Sequence, residues 1–104
     1  MSFHTEPTHY EKTALSDLQG AWGNLRATLV EADDVENRDR LLFHVDEAMS
    51  WESVRNLDRM RSILVLIRNI ATQSTVPEEV LEWIEMVQED LEEVMLAIAE
   101  GDKL

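Results

Sequence analysis

The chain has 104 residues, of which 44% are hydrophobic and 30% are charged, and this composition predicts one compact soluble domain rather than a disordered chain. Its formal net charge of -13 at pH 7 excludes nucleic acid as a direct ligand and disfavours an anionic membrane, because both are bound through basic side chains. With neither a cysteine nor a signal-peptide or membrane-spanning stretch, the sequence predicts a cytoplasmic protein without disulfides or thiolate metal sites.

The first predicted helix covers residues 9–32. Thr8 and Glu11 form a capping-box pattern at its start, in which each side chain can bond the backbone N–H of the other residue. Its large apolar side chains recur at intervals of three and four residues, a spacing that places them on one side of a helix. These side chains are Leu15, Leu18, Trp22, Leu25 and Leu29. The segment is therefore expected to bury one continuous apolar side.

Two glycines lie inside this first helix, and each costs about 1 kcal/mol relative to alanine in a helix interior. Gly20, Gly23 and Ala27 share one flank of the helix. They predict either room for a closely packed helix or large side chain, or else a kink or an early end of the helix near Trp22.

The middle segment, residues 36–72, is predicted as one long helix or as two shorter ones. It contains neither glycine nor proline. A continuous helix would be about 55 Å long, against about 36 Å for each neighbour, so part of it would lack a cover. Its apolar side is interrupted by Ser53 and Asn56, and Ser50 could cap a new helix. A kink or break near Ser50 is therefore the alternative to one rod.

The last predicted helix covers residues 76–100. Thr75 and Glu78 repeat the capping-box pattern at its start, and Gly101 supplies a stop at its end. Its apolar side chains again recur at intervals of four and three. They are Val80, Ile84, Val87, Leu91, Val94 and Ile98.

The shared spacing predicts an all-α fold, an antiparallel bundle of three helices, or of four if the middle segment breaks. Residues 1–104 are expected to form this single domain, with residues 1–8 flexible and no strands.

Five apolar residues follow one another at positions 63–67. Leu64 and Ile67 continue the apolar side of the middle helix, whereas Leu66 and Val65 point away from it. A contiguous exposed apolar patch is unusual in a monomer. We therefore predict a homodimer joined by the second halves of the middle helices, with central burial in a four-helix monomer as the alternative. The predicted interface consists of Ile63, Val65, Leu66 and Ile70.

The last predicted helix carries a second periodic set of residues, which is acidic. This set is offset by two residues from the apolar set, so it lies about 200° around the helix and faces away from the core. We name it the acidic ridge, and it consists of Glu78, Glu82, Glu85, Glu89 and Glu92. No lysine or arginine occurs between Arg68 and Lys103, so the helix itself offers nothing that neutralises the ridge.

Two interpretations of the acidic ridge are open. Like charges on a solvated face keep a small domain soluble. Alternatively, the ridge docks on a basic protein, because rows of carboxylates can imitate the phosphates of nucleic acid and pair with arginine or lysine. Trp51 is a second candidate contact, since it lies off the apolar side and tryptophan is favoured at interfaces. Its alternative is a structural role at the end of the bundle.

No set of residues predicts catalysis. The chain has three glycines, none in the pattern of a phosphate-binding loop. His44 and Glu47 stand one turn apart, but in the reverse order of a helical di-iron half-site. The pair Glu79 and Glu82 resembles in spacing the magnesium-binding pairs of all-helical nucleotide pyrophosphatases, in which the acids face into the bundle. Here the heptad count turns the glutamates outward, so we predict no enzyme, no metal and no cofactor.

The function predicted from these features is that of a small acidic binding protein without catalytic activity. It would dock on a basic partner, such as a nucleic-acid-binding protein, and inhibit or sequester it. Immunity proteins, antitoxins, phage-encoded inhibitors and DNA mimics act in this way. The alternative is a helical assembly subunit or a secretion-type chaperone, which binds through apolar helix faces.

Overall fold

The computed structural model describes the backbone of residues 9–102 and the side chains of residues 13–101. Within this range the chain forms four α-helices and no strand, which confirms the predicted all-α fold. The predicted flexible residues 1–8 lie outside the described part. The helices are α1 (His9–Glu31), α2 (Arg38–Glu52), α3 (Leu57–Thr72) and α4 (Glu78–Asp102).

The middle segment is two helices, so the prediction of one continuous helix over residues 36–72, and with it the three-helix bundle, is wrong. The chain leaves α2 by a Schellman turn, in which the N–H of Arg55 donates to the carbonyl of Glu52 at 2.9 Å and the N–H of Asn56 to that of Trp51 at 3.0 Å. Asn56 then begins α3, because its side chain accepts a hydrogen bond from the N–H of Arg59 at 3.1 Å. The break therefore falls just after the position near Ser50 that the sequence suggested.

The helices follow one another in antiparallel order around one core. Gln19 Nε2 of α1 donates to Glu52 Oε1 of α2 at 2.7 Å, and Arg26 Nε of α1 donates to Asp46 Oδ1 of α2 at 2.8 Å. The second contact lies later in α1 but earlier in α2, so the two helices are antiparallel. In the described residues, α1 contacts α2 and α4, α3 contacts the same two helices, and the Cα atoms of the diagonal pairs stay more than 8 Å apart. This is the packing of an up-down-up-down four-helix bundle.

In α1 and α4 the core is built from the apolar sides that the spacing predicted. Leu18, Leu25 and Leu29 of α1 are completely buried, and so are Val80 and Val87 of α4. Helices α2 and α3 contribute the rest of this core. Their fully buried side chains are Leu41, Val45, Ala48, Met60 and Ile67.

Two loops meet at one end of the bundle. Glu36 and Thr75 exchange two hydrogen bonds, since the N–H of Glu36 donates to the Thr75 carbonyl at 3.0 Å and the N–H of Thr75 donates to Glu36 Oε1 at 2.7 Å. Asn37 Nδ2 also donates to Ser74 Oγ at 2.7 Å. These bonds tie the α1–α2 connection to the α3–α4 connection and so hold the two helix hairpins together.

Gly20 and Gly23 do not break α1, so the predicted kink or early end near Trp22 is wrong. Helix α1 runs through both positions without interruption. A methyl group placed on either glycine would meet no atom within 4 Å.

Candidate functional site

The acidic ridge occupies the exposed side of α4. All five of its glutamates are exposed, whereas the apolar side chains two positions away are buried in the core. The arrangement follows from the helical period, because an offset of two residues turns a side chain to the opposite side of a helix. The structure thus brings the five predicted residues together in one row on a single helix.

The ridge carries no internal counter-charge. Helix α4 contains ten acidic residues and neither lysine nor arginine. Among the described side chains, no basic group lies within 4.0 Å of a ridge carboxylate. At a helical spacing of three and four residues, each pair of neighbouring carboxylates costs roughly 0.2–0.5 kcal/mol. The row is therefore a source of negative potential that forms no ion pair among the described side chains.

The arginines of α3 approach the ridge without pairing with it. Arg61 and Arg68 share a groove between α3 and α4 with Glu92 and Gln88. Arg68 Nη1 donates to Gln88 Oε1 at 3.0 Å. Arg68 is thus directed to a neutral amide.

Exposed apolar side chains border the acidic ridge. Leu81 and Met86 stand on opposite flanks of α4 and are 36% and 42% exposed. Leu96, which is 53% exposed, continues the spacing of the ridge by one more step after Glu92. The outer face of α4 therefore combines a row of carboxylates with apolar edges, which suits contact with a partner that is both basic and apolar.

A groove lies along one edge of this face, between α1 and α4, and has a volume of about 410 Å³. Burial of Asp90 is the main cause that raises the pKa of its carboxyl group, and the negative charges of Asp17, Glu89 and Glu93 add to it. The residues that line the groove include Asp17, Gly20, Asn24, Trp83, Met86 and Asp90. Sequence reasoning missed this groove, because it depends on which residues of α1 and α4 lie opposite one another.

Trp51 does not belong to the acidic face. Its side chain is only partly exposed and packs against the core, and the guanidinium carbon of Arg59 lies 5.7 Å from the centre of its ring. Its indole N–H is buried and has no hydrogen-bond acceptor among the described atoms. This position agrees with a structural role for Trp51, and the residue is not part of the surface that α4 forms.

The four residues of the predicted dimer interface are divided between core and surface. Ile63 and Ile70 are 7% and 6% exposed and belong to the core. Val65 and Leu66 are 54% and 38% exposed. Ile63 and Ile70 are therefore corrected to core residues, and the two exposed side chains remain as candidates.

Other site types find little support in the described residues. These residues contain no group of three or more histidine, cysteine, aspartate or glutamate side chains arranged to hold a metal ion. His44 Nδ1 lies 3.1 Å from Glu47 Oε1 as an isolated pair. None of the helices, within the part that the structure describes, has the length and hydrophobicity needed to cross a membrane.

Comparisons with protein-family models, with curated proteins and with solved structures find no match for this chain.

Proposed function

We propose that this protein is a small acidic binding protein without catalytic activity, which docks on a basic protein through the acidic ridge of α4 and inhibits or sequesters it. The observation that carries the proposal is the row of five exposed carboxylates with no basic group within 4.0 Å among the described side chains. The net charge of -13 is larger than solubility requires. A small domain is soluble with a net charge of about 2 to 8 in magnitude, and best with both signs mixed on its surface.

The density of charge on α4 supports a partner that normally binds nucleic acid. The five ridge glutamates run from Glu78 to Glu92, a stretch of about 21 Å at 1.5 Å per residue. That is one ridge charge per roughly 5 Å, against one phosphate per about 3.4 Å of axis along one strand of duplex DNA. An arginine-rich groove that accommodates one strand could therefore meet a sparser line of negative charge on α4.

Charge reversal on the ridge tests the proposal. The triple variant Glu82→Lys, Glu85→Lys and Glu89→Lys is compared with a control that carries the same change of charge elsewhere on the exposed surface. The control replaces Glu31, Asp33 and Asp39 by lysine, none of which lies on α4. Each chain is immobilised and used to capture proteins from a lysate of the source organism.

The expected result is a basic protein that the wild-type chain and the control retain and that the ridge variant loses. Retention of the same proteins by all three chains would contradict the proposal, and so would a set of retained proteins that are not basic.

We propose, as a second candidate, that the chain assembles through apolar helix faces, either as a homodimer or as a subunit of a larger helical complex. Phe43 of α2 and Val65 of α3 are 66% and 54% exposed, and Leu66 is 38% exposed. These side chains belong to the α2–α3 hairpin, which also carries most of the arginines, so the repulsion between two acidic chains would be least there.

Light scattering tests this second candidate. A homodimer predicts a solution mass of two chains for the wild-type protein and of one chain for Leu66→Asp. A wild-type mass of one chain over the micromolar range would contradict the dimer.

A further inference from the structure

We propose that the groove between α1 and α4 receives an arginine side chain of the basic partner, with its guanidinium group between Asp17 and Asp90 and its aliphatic part against Trp83 and Met86. The inference rests on the proposed function for the existence of a basic partner. Beyond the proposed function, it names the groove beside the acidic ridge as a binding site for the partner and arginine as the side chain that binds there.

The shape of the groove allows a side chain to enter. It is a shallow groove that is open to solvent and has a volume of about 410 Å³. Gly20 lies on its α1 side, and because a methyl group at Gly20 would meet no atom within 4 Å, the space beside the helix backbone is open. No described side chain fills this space.

The charges of the groove call for a cation from outside. Asp17 and Asp90 both line it, and none of its lining residues is basic. Neither carboxylate has a basic group within 4.0 Å among the described side chains. Burial and the charge of Asp17 also raise the pKa of Asp90, so the two negative charges destabilise one another in the free protein. A cation placed between them removes that repulsion and gains two charge-assisted hydrogen bonds.

The apolar lining favours arginine over lysine and over a metal ion. The planar, weakly hydrated guanidinium group stacks on aromatic rings and binds carboxylates with paired N–H groups. Trp83 offers such a ring at the wall of the groove, and Met86, 42% exposed, offers an apolar surface to the methylene groups. A metal ion would instead require more oxygen or nitrogen ligands, and the described residues contain no cluster of three or more that could hold one.

The test uses three synthetic helical peptides of about five turns, each with an apolar side and a basic side. The first carries arginine at its basic positions, the second carries lysine, and the third carries citrulline, which has the shape of arginine without its charge. Their affinities for the full chain are measured by isothermal titration calorimetry. The expected order is arginine, then lysine, then citrulline, with a loss of about tenfold or more from arginine to citrulline.

Two matched variants locate the binding site. Gly20→Leu places a large side chain in the groove, whereas Gly23→Leu makes the same substitution at a glycine of α1 that does not line it. Leucine is a better helix former than glycine, so both variants should keep the fold, and circular dichroism verifies this. Gly20→Leu is expected to weaken the arginine peptide about tenfold or more, while Gly23→Leu changes its affinity by less than about twofold.

The ridge variant separates failure of this inference from failure of the proposed function. If the reversal of Glu82, Glu85 and Glu89 abolishes binding while Gly20→Leu and Gly23→Leu bind alike, the groove assignment is overturned and docking on the ridge stands. Equal affinity for the arginine and citrulline peptides also overturns the groove assignment. If the ridge variant binds the arginine peptide as the wild type does while Gly20→Leu weakens it, docking on the ridge fails and the groove assignment stands. If no peptide binds the wild-type chain, the groove assignment is overturned.

Discussion

Asp90 on α4 and Asp17 on α1 bring like charges into one groove, where the burial of Asp90 and the nearness of Asp17 both raise the pKa of Asp90. Repulsion of this kind lowers the stability of the free bundle, and the chain retains it beside a ridge of further unpaired carboxylates. Neither feature belongs to the core, because the buried residues of the described part are all hydrophobic.

Asp90→Asn is expected to stabilise the protein at neutral pH. The substitution removes a carboxylate that is partly buried and repelled by its neighbours, and the gain should be a few tenths of a kcal/mol, roughly that of a like-charge pair on a helix. Urea unfolding at fixed protein concentration measures the free energy of unfolding. Asp33→Asn, which removes the same charge from an exposed loop, is the control. A larger gain for the control than for Asp90→Asn would contradict this reasoning.

The raised pKa of Asp90 also determines how the free energy of unfolding depends on pH. Because the pKa of Asp90 is higher in the folded than in the unfolded chain, the folded chain binds this proton more tightly. The resulting stabilisation is fully present below the ordinary carboxyl pKa of 3.8 and is lost as the pH rises through the raised value. The advantage of Asp90→Asn over the wild type should therefore be largest near pH 7 and shrink as the pH falls. An advantage that grows towards acid pH would contradict the account.

Arg55→Gly is expected to stabilise the bundle by about 1 kcal/mol. Arg55 has a φ of 58°, a left-handed conformation that costs a residue with a Cβ atom about 1–2 kcal/mol and costs glycine little. It stands at the position of the Schellman turn that glycine most often occupies. Arg55→Ala, which keeps the strain, is the control and should bring no gain. Equal stability of the glycine and alanine variants in chemical unfolding would show that the conformation of Arg55 is not strained.

Gly20→Ala and Gly23→Ala are each expected to raise the free energy of unfolding by about 0.5–1 kcal/mol. Both glycines lie inside a continuous helix, where alanine is the better helix former, and the added methyl groups meet no atom within 4 Å. Thermal unfolding followed by circular dichroism would measure the effect. A loss of stability at Gly20 would reveal a requirement for glycine there that the packing of α1 does not show.

Helix spacing predicted the core well, because the period of an α-helix decides which side chains can share one face. Leu18 and Val87 are buried, and Glu85 is exposed, as their positions in the alternating intervals of three and four indicated. The break in the middle segment was harder to locate. Its turn uses Arg55 where glycine is usual, so the residue that most often marks such an end is missing from the sequence.

The surfaces depend on tertiary contacts that periodicity does not contain. Ile63 and Ile70 were assigned to a dimer interface on the assumption of one long middle helix, and both are buried in the core of the four-helix bundle instead. The groove that joins Asp17 to Asp90 depends on the register of α1 against α4, two helices at opposite ends of the chain. Neither the burial of Ile63 and Ile70 nor the register of α1 against α4 follows from the pattern within one helix.

The affinity of the captured partner for the wild-type chain, measured as a function of salt concentration, tests docking through the acidic ridge most directly. The Debye length falls from about 10 Å at 0.1 M salt to about 3 Å at 1 M, so contacts between an exposed row of carboxylates and basic side chains weaken as salt is added. We expect the affinity to fall steeply over this range. An affinity that stays constant from low to high salt would contradict the claim that the ridge is the binding surface.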